Sequence, residues 1–305
     1  MKPIIIDTDP GIDDIVALTA ALFSEKLDVK LITTVGGNVG IENTTKNAID
    51  LVTFLEKDTR VAKGFGEPLL RSAKTATQVH GNSGIGEYKF EAEPNPAILS
   101  NENAVIELRN TIMNAAEPVT LVPIGPLTNI ALLFKTFPEV KANIAEVVLM
   151  GGAVEGGNAT PVAEFNIYAD PHAAKIVFDT DIKIVMCGLD VTRLTSVTMG
   201  DVMKVKDHGS IGKMIYEMLH YYKNAYSNEA IAIHDLCTIF YLTKPEFFTV
   251  KQAKVDVVTE GPAAGCTVTN YIDGGNVSVC VDANVKAFRE EFVNVFQEIN
   301  SNVMC

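Results

Sequence analysis

Four aspartates lie within eight residues near the start of the chain, in the segment DTDPGIDD at residues 7–14. Asp7 and Asp9 are two residues apart, so their side chains point to the same side of an extended segment. Asp13 and Asp14 open the next helical pattern, where the helix dipole stabilises a carboxylate by about 0.3–1 kcal/mol. Helix capping explains one or two acids, whereas a cation such as Ca²⁺ or Mg²⁺ explains several. The segment therefore predicts a metal site that uses at least two of them.

A second candidate is the adjacent pair His234 and Asp235, in the segment AIAIHDLCTIF. Adjacent residues on a helix diverge by about 100°, so the two side chains have different roles, although both can reach one pocket at a helix end. Taken alone, such a pair is more commonly a capped helix start than a functional site. Likewise, His80 alone is a loop histidine, and the tyrosines within residues 221–226 are more often helix packing than a surface for a flat ligand.

The elements that position these residues are predicted from apolar runs that alternate with amphipathic segments. This alternation predicts right-handed β-α-β crossovers and a mainly parallel sheet with helices on both sides. The predicted strands are Ile4–Ile6, Val29–Val35, Val119–Ile124, Val147–Met150, Ile182–Cys187, Val255–Val258 and Val277–Val281. The predicted helices are Asp13–Phe23, Glu42–Lys57, Asn101–Ala116, Pro171–Thr180, Ile211–Tyr226, His234–Leu242 and Val285–Ile299. No repeat or Pro/Gly-rich linker divides the chain, so we predict one α/β domain over residues 1–305, with a mixed, mainly parallel sheet and a Rossmann-like core.

Polar, glycine-containing turns follow four of the predicted strands. They comprise residues 7–14, 36–38, 124–129 and 151–166. In an open parallel sheet, ligands bind beyond the carboxyl ends of the strands, so these turns are expected to meet along one edge. The sequence therefore predicts a single ligand site at that edge.

Composition disfavours some classes of partner. Acidic residues outnumber basic ones by 38 to 25, which gives a net charge of −13 and disfavours binding to nucleic acid. The charge fits a neutral small-molecule substrate or a metal site, although solubility alone also accounts for it. Five scattered cysteines indicate reduced thiols, and neither a signal peptide nor a membrane-spanning stretch is recognisable. We therefore expect a cytoplasmic protein without a membrane or nucleic-acid partner.

Several motifs in order resemble those of the nucleoside hydrolases, the inosine–uridine-preferring N-ribohydrolases, over essentially the whole chain. They are DTDPGIDD at 7–14, VGGN at 35–38, VHGNSG at 79–84, IGPLTNIA at 124–131, MGG at 150–152, NATPVAEFNIYADP at 158–171 and HDLC at 234–237. MCGLDVT at 186–192 and the HDL form of the last motif look most like the broad-specificity branch. The resemblance implies Ca²⁺-dependent hydrolysis of the N-glycosidic bond of purine and pyrimidine ribonucleosides, in nucleoside salvage and catabolism. It also implies assembly as a homodimer or homotetramer.

The resemblance further implies roles for individual residues. Asp9, Asp14 and Asp235 match carboxylates that bind one Ca²⁺ per chain, with the backbone carbonyl of Ile124 as a further ligand. Asp9 also matches the base that takes a proton from the attacking water, and His234 matches the residue that assists the departing base. The positions that match ribose-binding or pocket-lining residues are Asp13, Asn38, His80, Met150, Asn158, Glu164, Phe165 and Asn166.

Two alternatives to a nucleoside hydrolase stay open from the residues themselves. IIIDTDPG partly resembles the D-x-D motif of haloacid-dehalogenase-type phosphatases, although those enzymes have Thr or Val where this chain has Gly11. A nucleoside- or sugar-binding protein without catalysis is the other alternative, and it would need no water-activating acid. The loop that commonly reads HGESG or HGDSG in the family is HGNSG here, so no charge-dependent role is carried over to Asn82.

Overall fold

The protein is described by a computed structural model that covers residues 1–226 and 230–303, without the side chains of residues 225–226 and 300–303. Its strands are β1 (Lys2–Thr8), β2 (Leu27–Thr34), β3 (Val61–Lys63), β4 (Val119–Pro123), β5 (Ile144–Met150), β6 (Ile184–Cys187), β7 (Val197–Thr198), β8 (Ala230–Ile231), β9 (Phe248–Val257), β10 (Thr267–Tyr271) and β11 (Val277–Ala283). Its α-helices are α1 (Ile12–Leu22), α2 (Ile41–Phe54), α3 (Thr77–His80), α4 (Ala104–Asn114), α5 (Thr128–Thr136), α6 (Phe165–Ala169), α7 (Pro171–Phe178), α8 (Leu189–Thr192), α9 (Met199–Lys206), α10 (Gly209–Tyr226), α11 (Leu236–Thr243) and α12 (Val285–Val303). Among the described helices, none is both long and apolar enough to cross a membrane.

One sheet of nine strands organises the chain, in the order β10-β9-β11-β6-β5-β4-β1-β2-β3. Strand β9 is antiparallel to both of its neighbours, and the remaining neighbouring pairs are parallel. Strands β7 and β8 form a separate antiparallel ribbon. The fold is a single α/β domain with a mixed, mainly parallel sheet flanked by helices, which confirms the predicted fold class.

Helices cover both faces of the sheet, so the central strands are buried on both sides. Side chains alternate between the faces along β1: Ile4 and Ile6 pack into one apolar cluster, and Ile5 packs into another. The first cluster includes side chains of α1, α2, α10, α11 and α12, and the second includes side chains of α4, α5 and α7. This two-sided burial explains why the central strands are nearly continuous apolar runs in the sequence.

The predicted elements differ from the observed ones where the apolar signal is weak. The predicted strand Val255–Val258 is only the end of β9, whose first half is exposed, and the edge strand β10 was not predicted. The helix predicted from His234 begins at Leu236 instead, so His234 and Asp235 lie in the turn before it. Asp235 is the N-cap residue of α11 and keeps helical backbone angles.

The order of the strands brings the predicted turns together. Strand β1 lies between β2 and β4 and is parallel to both, with Asp7 paired to Thr33 on one side and to Pro123 on the other. Strand β5 is parallel to β4, and β6 is parallel to β5. The turns that follow these strands therefore lie along one edge of the sheet, as predicted.

Candidate active site

Asp14 lies in the first turn of α1 and connects that helix to the end of β1. Its Oδ1 accepts a hydrogen bond from Thr8 Oγ1 (2.5 Å), and its Oδ2 accepts one from the backbone N–H of Gly11 (2.9 Å). The bond from Gly11 is a capping interaction, so the structural interpretation of this acid is correct in part. A carboxylate oxygen of Asp14 also lies within 4.8 Å of one of Asp235, a proximity that helix capping does not explain.

Asp9 follows β1 directly and is fully buried. Its Oδ2 accepts a hydrogen bond from the backbone N–H of Asn38 (2.7 Å), whereas its buried Oδ1 has no hydrogen-bond partner among the described residues. A Cβ at Gly37 would lie 2.0 Å from Oδ2, and a Cβ at Gly125 would lie 2.6 Å from Oδ1, so both positions require glycine. A buried carboxylate oxygen without a partner is costly, which indicates a position for a cation or a water molecule.

Three carboxylates form a compact group. Ligand atoms of Asp13, Asp14 and Asp235 lie within 4.8 Å of one another, and all three residues are buried. Asp235 occupies the N-cap position of α11, but its side chain makes no capping hydrogen bond, so capping does not account for the His-Asp pair. Asp9 lies outside this group, although its charge interacts with Asp13 and Asp14. The group could hold a metal ion.

Asp7 takes no part in this cluster, although it is two residues from Asp9. Its Oδ1 accepts hydrogen bonds from Thr33 Oγ1 (2.5 Å) and from Asn129 Nδ2 (2.8 Å). Burial raises the pKa of Asp7 to about 7, against the effect of these two hydrogen bonds. Asp7 therefore ties the ends of β1 and β2 to helix α5.

The cluster is electrostatically unfavourable without a cation. Burial raises the pKa of Asp13 to about 8, and the neighbouring charge of Asp14 adds to the effect. Burial and neighbouring acids also raise the pKa of Asp9 and of Asp235 well above the ordinary value, and burial raises the pKa of Asp14. Carboxylate oxygens are the donors that Ca²⁺ and Mg²⁺ prefer, so the residues present fit a hard divalent cation, which would keep them ionised.

These pKa shifts predict how metal binding and stability depend on pH. An unfolded Asp has a pKa of about 3.9, so the metal-free folded state binds more protons than the unfolded state between about pH 4 and pH 8. Its free energy of unfolding should therefore fall as the pH rises through this window, and a cation that binds the ionised carboxylates should reverse the loss. We expect the rise in Tm caused by Ca²⁺ in thermal unfolding to be larger at pH 8 than at pH 5.5. A larger rise at pH 5.5, or none at either pH, would contradict this account.

A cavity of about 300 Å³ opens beside the acids. The predicted site residues that line it are Asp13, Asn38, His80, Ile124, Met150, Asn158, Glu164, Phe165, Asn166, His234 and Asp235. Asp9 and Asp14 do not line it but contact Asn38, which does. Lining residues that the sequence did not predict are Lys74, Thr75, Ala76, Gln78, Val79, Ala159, Tyr168 and Tyr222.

Part of the cavity wall is built by the segment that begins at Asn158. Both oxygens of Glu164 accept backbone N–H groups, from Asn166 (2.9 Å) and from Gly152 (2.9 Å) among others, so this acid caps α6 as well as lining the cavity. The amide of Asn166 donates to the carbonyl oxygens of Ile124 (2.9 Å) and Met150 (3.2 Å). A carbonyl oxygen has two lone pairs, so the bond to Ile124 leaves one available to a cation.

His80 is a buried residue at the end of α3 that lines the cavity, and it is not in a loop. Its Nδ1 accepts a hydrogen bond from the backbone N–H of Ile12 (3.1 Å), and its ring lies 5.3 Å from that of Tyr222. Burial lowers the pKa of His80 to about 3, so the ring is neutral at pH 7.

The other tyrosines of residues 221–226 are placed differently from Tyr222. Tyr221 packs against Gly86, where a Cβ would lie 2.7 Å from the tyrosine Cγ. The side chain of Tyr226 lies outside the described residues.

His234 lines the cavity beside the acid cluster. Its Nδ1 lies 2.7 Å from Thr192 Oγ1, a partner that the sequence did not predict. Burial and the positive charge of Arg193 lower the pKa of His234 to about 4, so its ring is neutral at pH 7. A neutral imidazole donates from one ring nitrogen and accepts at the other.

An α/β sheet with buried carboxylates and a polar cavity at its carboxyl edge defines an enzyme-type site with a candidate metal centre. Residues 4–290 match the family model for inosine-uridine preferring nucleoside hydrolases. The chain is 46% identical, over 94% of its length and 96% of the relative's, to the non-specific ribonucleoside hydrolase RihC of Escherichia coli O127:H6.

Solved structures agree with this match. A purine-preferring ribonucleoside hydrolase from Gardnerella vaginalis superimposes with a TM-score of 0.93 at 30% identity. The superposition covers 99% of this chain and 100% of the Gardnerella chain. A plant nucleoside hydrolase, PpNRh1, superimposes with a TM-score of 0.88 at 32% identity, with 98% of each chain covered. The chain belongs to the family of inosine-uridine preferring nucleoside hydrolases. The predicted resemblance is thereby confirmed.

Proposed function

We propose that this protein hydrolyses the N-glycosidic bond of both purine and pyrimidine ribonucleosides and binds one Ca²⁺ per chain. The observation that carries the proposal is the placement of buried acids beside a cavity lined by amides and carboxylates. Broad base specificity is supported by the 46% identity to a non-specific ribonucleoside hydrolase, against 30% to a purine-preferring one. A role in nucleoside salvage, in the cytoplasm and as a homodimer or homotetramer, forms part of the proposal.

Hydrolysis replaces the bond from C1′ to the base nitrogen with a bond from C1′ to a water oxygen. The electron pair of the broken bond goes to the base, one proton leaves the water, and the base acquires one proton. The ribose passes through a transition state with oxocarbenium character, by the same logic as O-glycosides. The site must therefore activate water, tolerate positive charge on the sugar and assist the departing base.

The residues that would hold the cation are Asp9, Asp14 and Asp235, together with the carbonyl oxygen of Ile124. The Asp13 carboxylate lies within 4.8 Å of those of Asp14 and Asp235, so Asp13 is a further candidate ligand of the cation. When bound, Ca²⁺ orients and acidifies water less strongly than Zn²⁺ does, so a carboxylate base beside it is needed. The excess of carboxylates over one cation also favours a cationic sugar electrostatically.

Asp9 is the best candidate for the base that takes the proton. Its Oδ1 is buried and without a described partner, so this oxygen is available to a water molecule. Its Oδ2 is held by the backbone N–H of Asn38, which fixes the orientation of the carboxylate. Packing of Gly37 and Gly125 against the two oxygens restrains it further.

His234 is the candidate for assistance to the departing base. It adjoins Asp235 in sequence, yet its Nδ1 contacts Thr192 Oγ1, while the Asp235 carboxylate lies within 4.8 Å of those of Asp13 and Asp14. Since the imidazole is neutral at pH 7, it would donate a hydrogen bond to the leaving base or to a water molecule that supplies the base with its proton. Assistance of this kind is worth about 10²–10⁴-fold when the leaving group needs a proton.

Ribose recognition is tested with a substrate that lacks one hydroxyl. Asp13 and Asn38 line the cavity and are assigned to a ribose hydroxyl, and a site built to bond a hydroxyl is left with unpaired polar groups when that hydroxyl is missing. We expect kcat/KM for 2′-deoxyuridine to be at least about a hundredfold below that for uridine, a conservative bound for such sites. Equal kcat/KM values for the two substrates would contradict the ribose assignments.

A further inference from the structure

We infer that Thr192 is a positioning residue that fixes the orientation and tautomer of His234. The inference rests on the proposed function, because it takes His234 to be the group that assists the leaving base. The carrying observation is the 2.7 Å contact between Thr192 Oγ1 and His234 Nδ1. Thr192 itself is fully buried.

The burial of Thr192 determines the direction of this hydrogen bond. A buried hydroxyl proton needs an acceptor within the protein, and His234 Nδ1 is the acceptor that Thr192 Oγ1 contacts. When Nδ1 accepts, the ring proton of a neutral imidazole lies on Nε2. Nε2, which Thr192 does not contact, therefore carries an N–H group that can donate a hydrogen bond.

Helix α8 holds Thr192 rigidly. The backbone N–H of Thr192 donates to the carbonyl of Gly188 (3.1 Å), and the carboxylate of Asp190 accepts from the backbone N–H groups of Val154 (2.7 Å) and Glu155 (3.0 Å). Threonine is also β-branched, so its χ1 is restricted. The Thr192 hydroxyl, fixed by these contacts of α8, can therefore hold the imidazole of His234 in one orientation.

Arg193, the residue after α8, contacts the segment that precedes Asn158. Arg193 Nη2 donates to the carbonyl of Gly157 (2.7 Å), directly before Asn158 in the chain. Thr192 and Arg193 therefore contact His234 and the residue before Asn158, and both His234 and Asn158 line the cavity.

The substitution that tests this is Thr192→Val, which keeps the shape and removes the hydroxyl. We expect kcat on inosine to fall at least about tenfold, because a departing purine needs a donor, while kcat on p-nitrophenyl riboside changes less than about twofold. Thr192→Ser retains the hydroxyl and should restore most of the activity on inosine. Equal losses on both substrates, or no rescue by serine, would overturn the inference.

The chain offers a matched control three residues away. Thr195 is also buried, but its hydroxyl contacts the backbone carbonyls of Val191 (3.2 Å) and Thr192 (3.2 Å) and Cys237 Sγ (3.0 Å), and it does not contact His234. Thr195→Val should leave the ratio of the two kcat values unchanged. If this variant lowers the ratio as much as Thr192→Val does, the effect is general to the turn and the inference fails.

A spectroscopic measurement tests the tautomer without reference to activity. In Ca²⁺-loaded protein with ¹⁵N-labelled histidine, the five histidines give separate ring signals, and the His234 signal is the one lost in His234→Ala. We expect the Nε2–H tautomer of His234 in the wild type and a loss of that preference in Thr192→Val. An Nδ1–H tautomer in the wild type, or an unchanged signal in the variant, would overturn the inference. This result is independent of whether the wild type releases ribose, so failure of the proposed function would be seen separately.

Discussion

Asp9→Ala is expected to lower kcat on inosine by at least about a thousandfold. General-base assistance alone is worth about 10²–10⁴-fold, and the same substitution removes a proposed ligand of the cation. The expectation is motivated by the buried Oδ1 of Asp9, which has no described partner, and by the two glycines that pack against the carboxylate. The measurement is steady-state kinetics together with the Ca²⁺ content of the dialysed variant.

Two further variants separate the possible causes of that loss. Asp9→Asn keeps the size and the acceptor for the backbone N–H of Asn38 but cannot take a proton, so it should be nearly as inactive as Asp9→Ala. Asp7→Asn is the matched control, because this buried acid bonds to Thr33 and Asn129 outside the cluster, and it should keep most of the activity. If Asp9→Ala kept a tenth of the wild-type kcat, Asp9 could not be the base.

His234→Ala is expected to lower kcat on inosine by at least about a hundredfold while changing kcat on p-nitrophenyl riboside little. The nitrophenyl group departs as an anion and needs no proton, whereas a purine does. Uridine should show an intermediate loss, because a pyrimidine offers different protonation sites. The measurement is the ratio of variant to wild-type kcat on the three substrates.

Comparison of the three substrates distinguishes assistance to the leaving group from a structural role of His234. His234 adjoins Asp235, so its removal could also disturb the acid cluster, and that disturbance would affect all substrates equally. Equal losses on inosine, uridine and p-nitrophenyl riboside would therefore assign His234 to support of the pocket or the metal. Retained Ca²⁺ content in the variant checks the same point directly.

The location of the site was predictable because it follows from strand order. Residues 7–14, 36–38, 124–129 and 151–166 are far apart in sequence, but each follows a buried strand, and parallel strands present their carboxyl ends at one edge. The apolar runs that identify those strands are strong because helices cover both faces of the sheet. The pattern thus predicted the fold class and the neighbourhood of the acids, and the motif resemblance predicted the family.

The partners of individual side chains were not predictable, because they depend on contacts between distant segments. Thr192 and His234 are 42 residues apart, and no local sequence pattern predicts their contact. Thr192 is the last residue of the motif MCGLDVT, but the motif does not indicate its partner. Tyr222 fits a helix-packing pattern, and only the position of α10 beside α3 places it in the cavity wall. Helix α11 begins at Leu236 and not at His234, a boundary that the apolar pattern does not mark.

The most direct test of the account is a reducing-sugar assay on inosine, uridine, cytidine and adenosine, with the wild-type protein, Ca²⁺ and the Asp9→Ala variant in parallel. We predict that the wild type releases ribose and free base in equal amounts from at least one purine and one pyrimidine ribonucleoside. Chelation of Ca²⁺ should abolish the release, renewed Ca²⁺ should restore it, and Asp9→Ala should release none above background. No ribose from any of the four nucleosides, or full release by the chelated wild type or by Asp9→Ala, would contradict the proposal that a Ca²⁺-dependent nucleoside hydrolase site lies at this edge of the sheet.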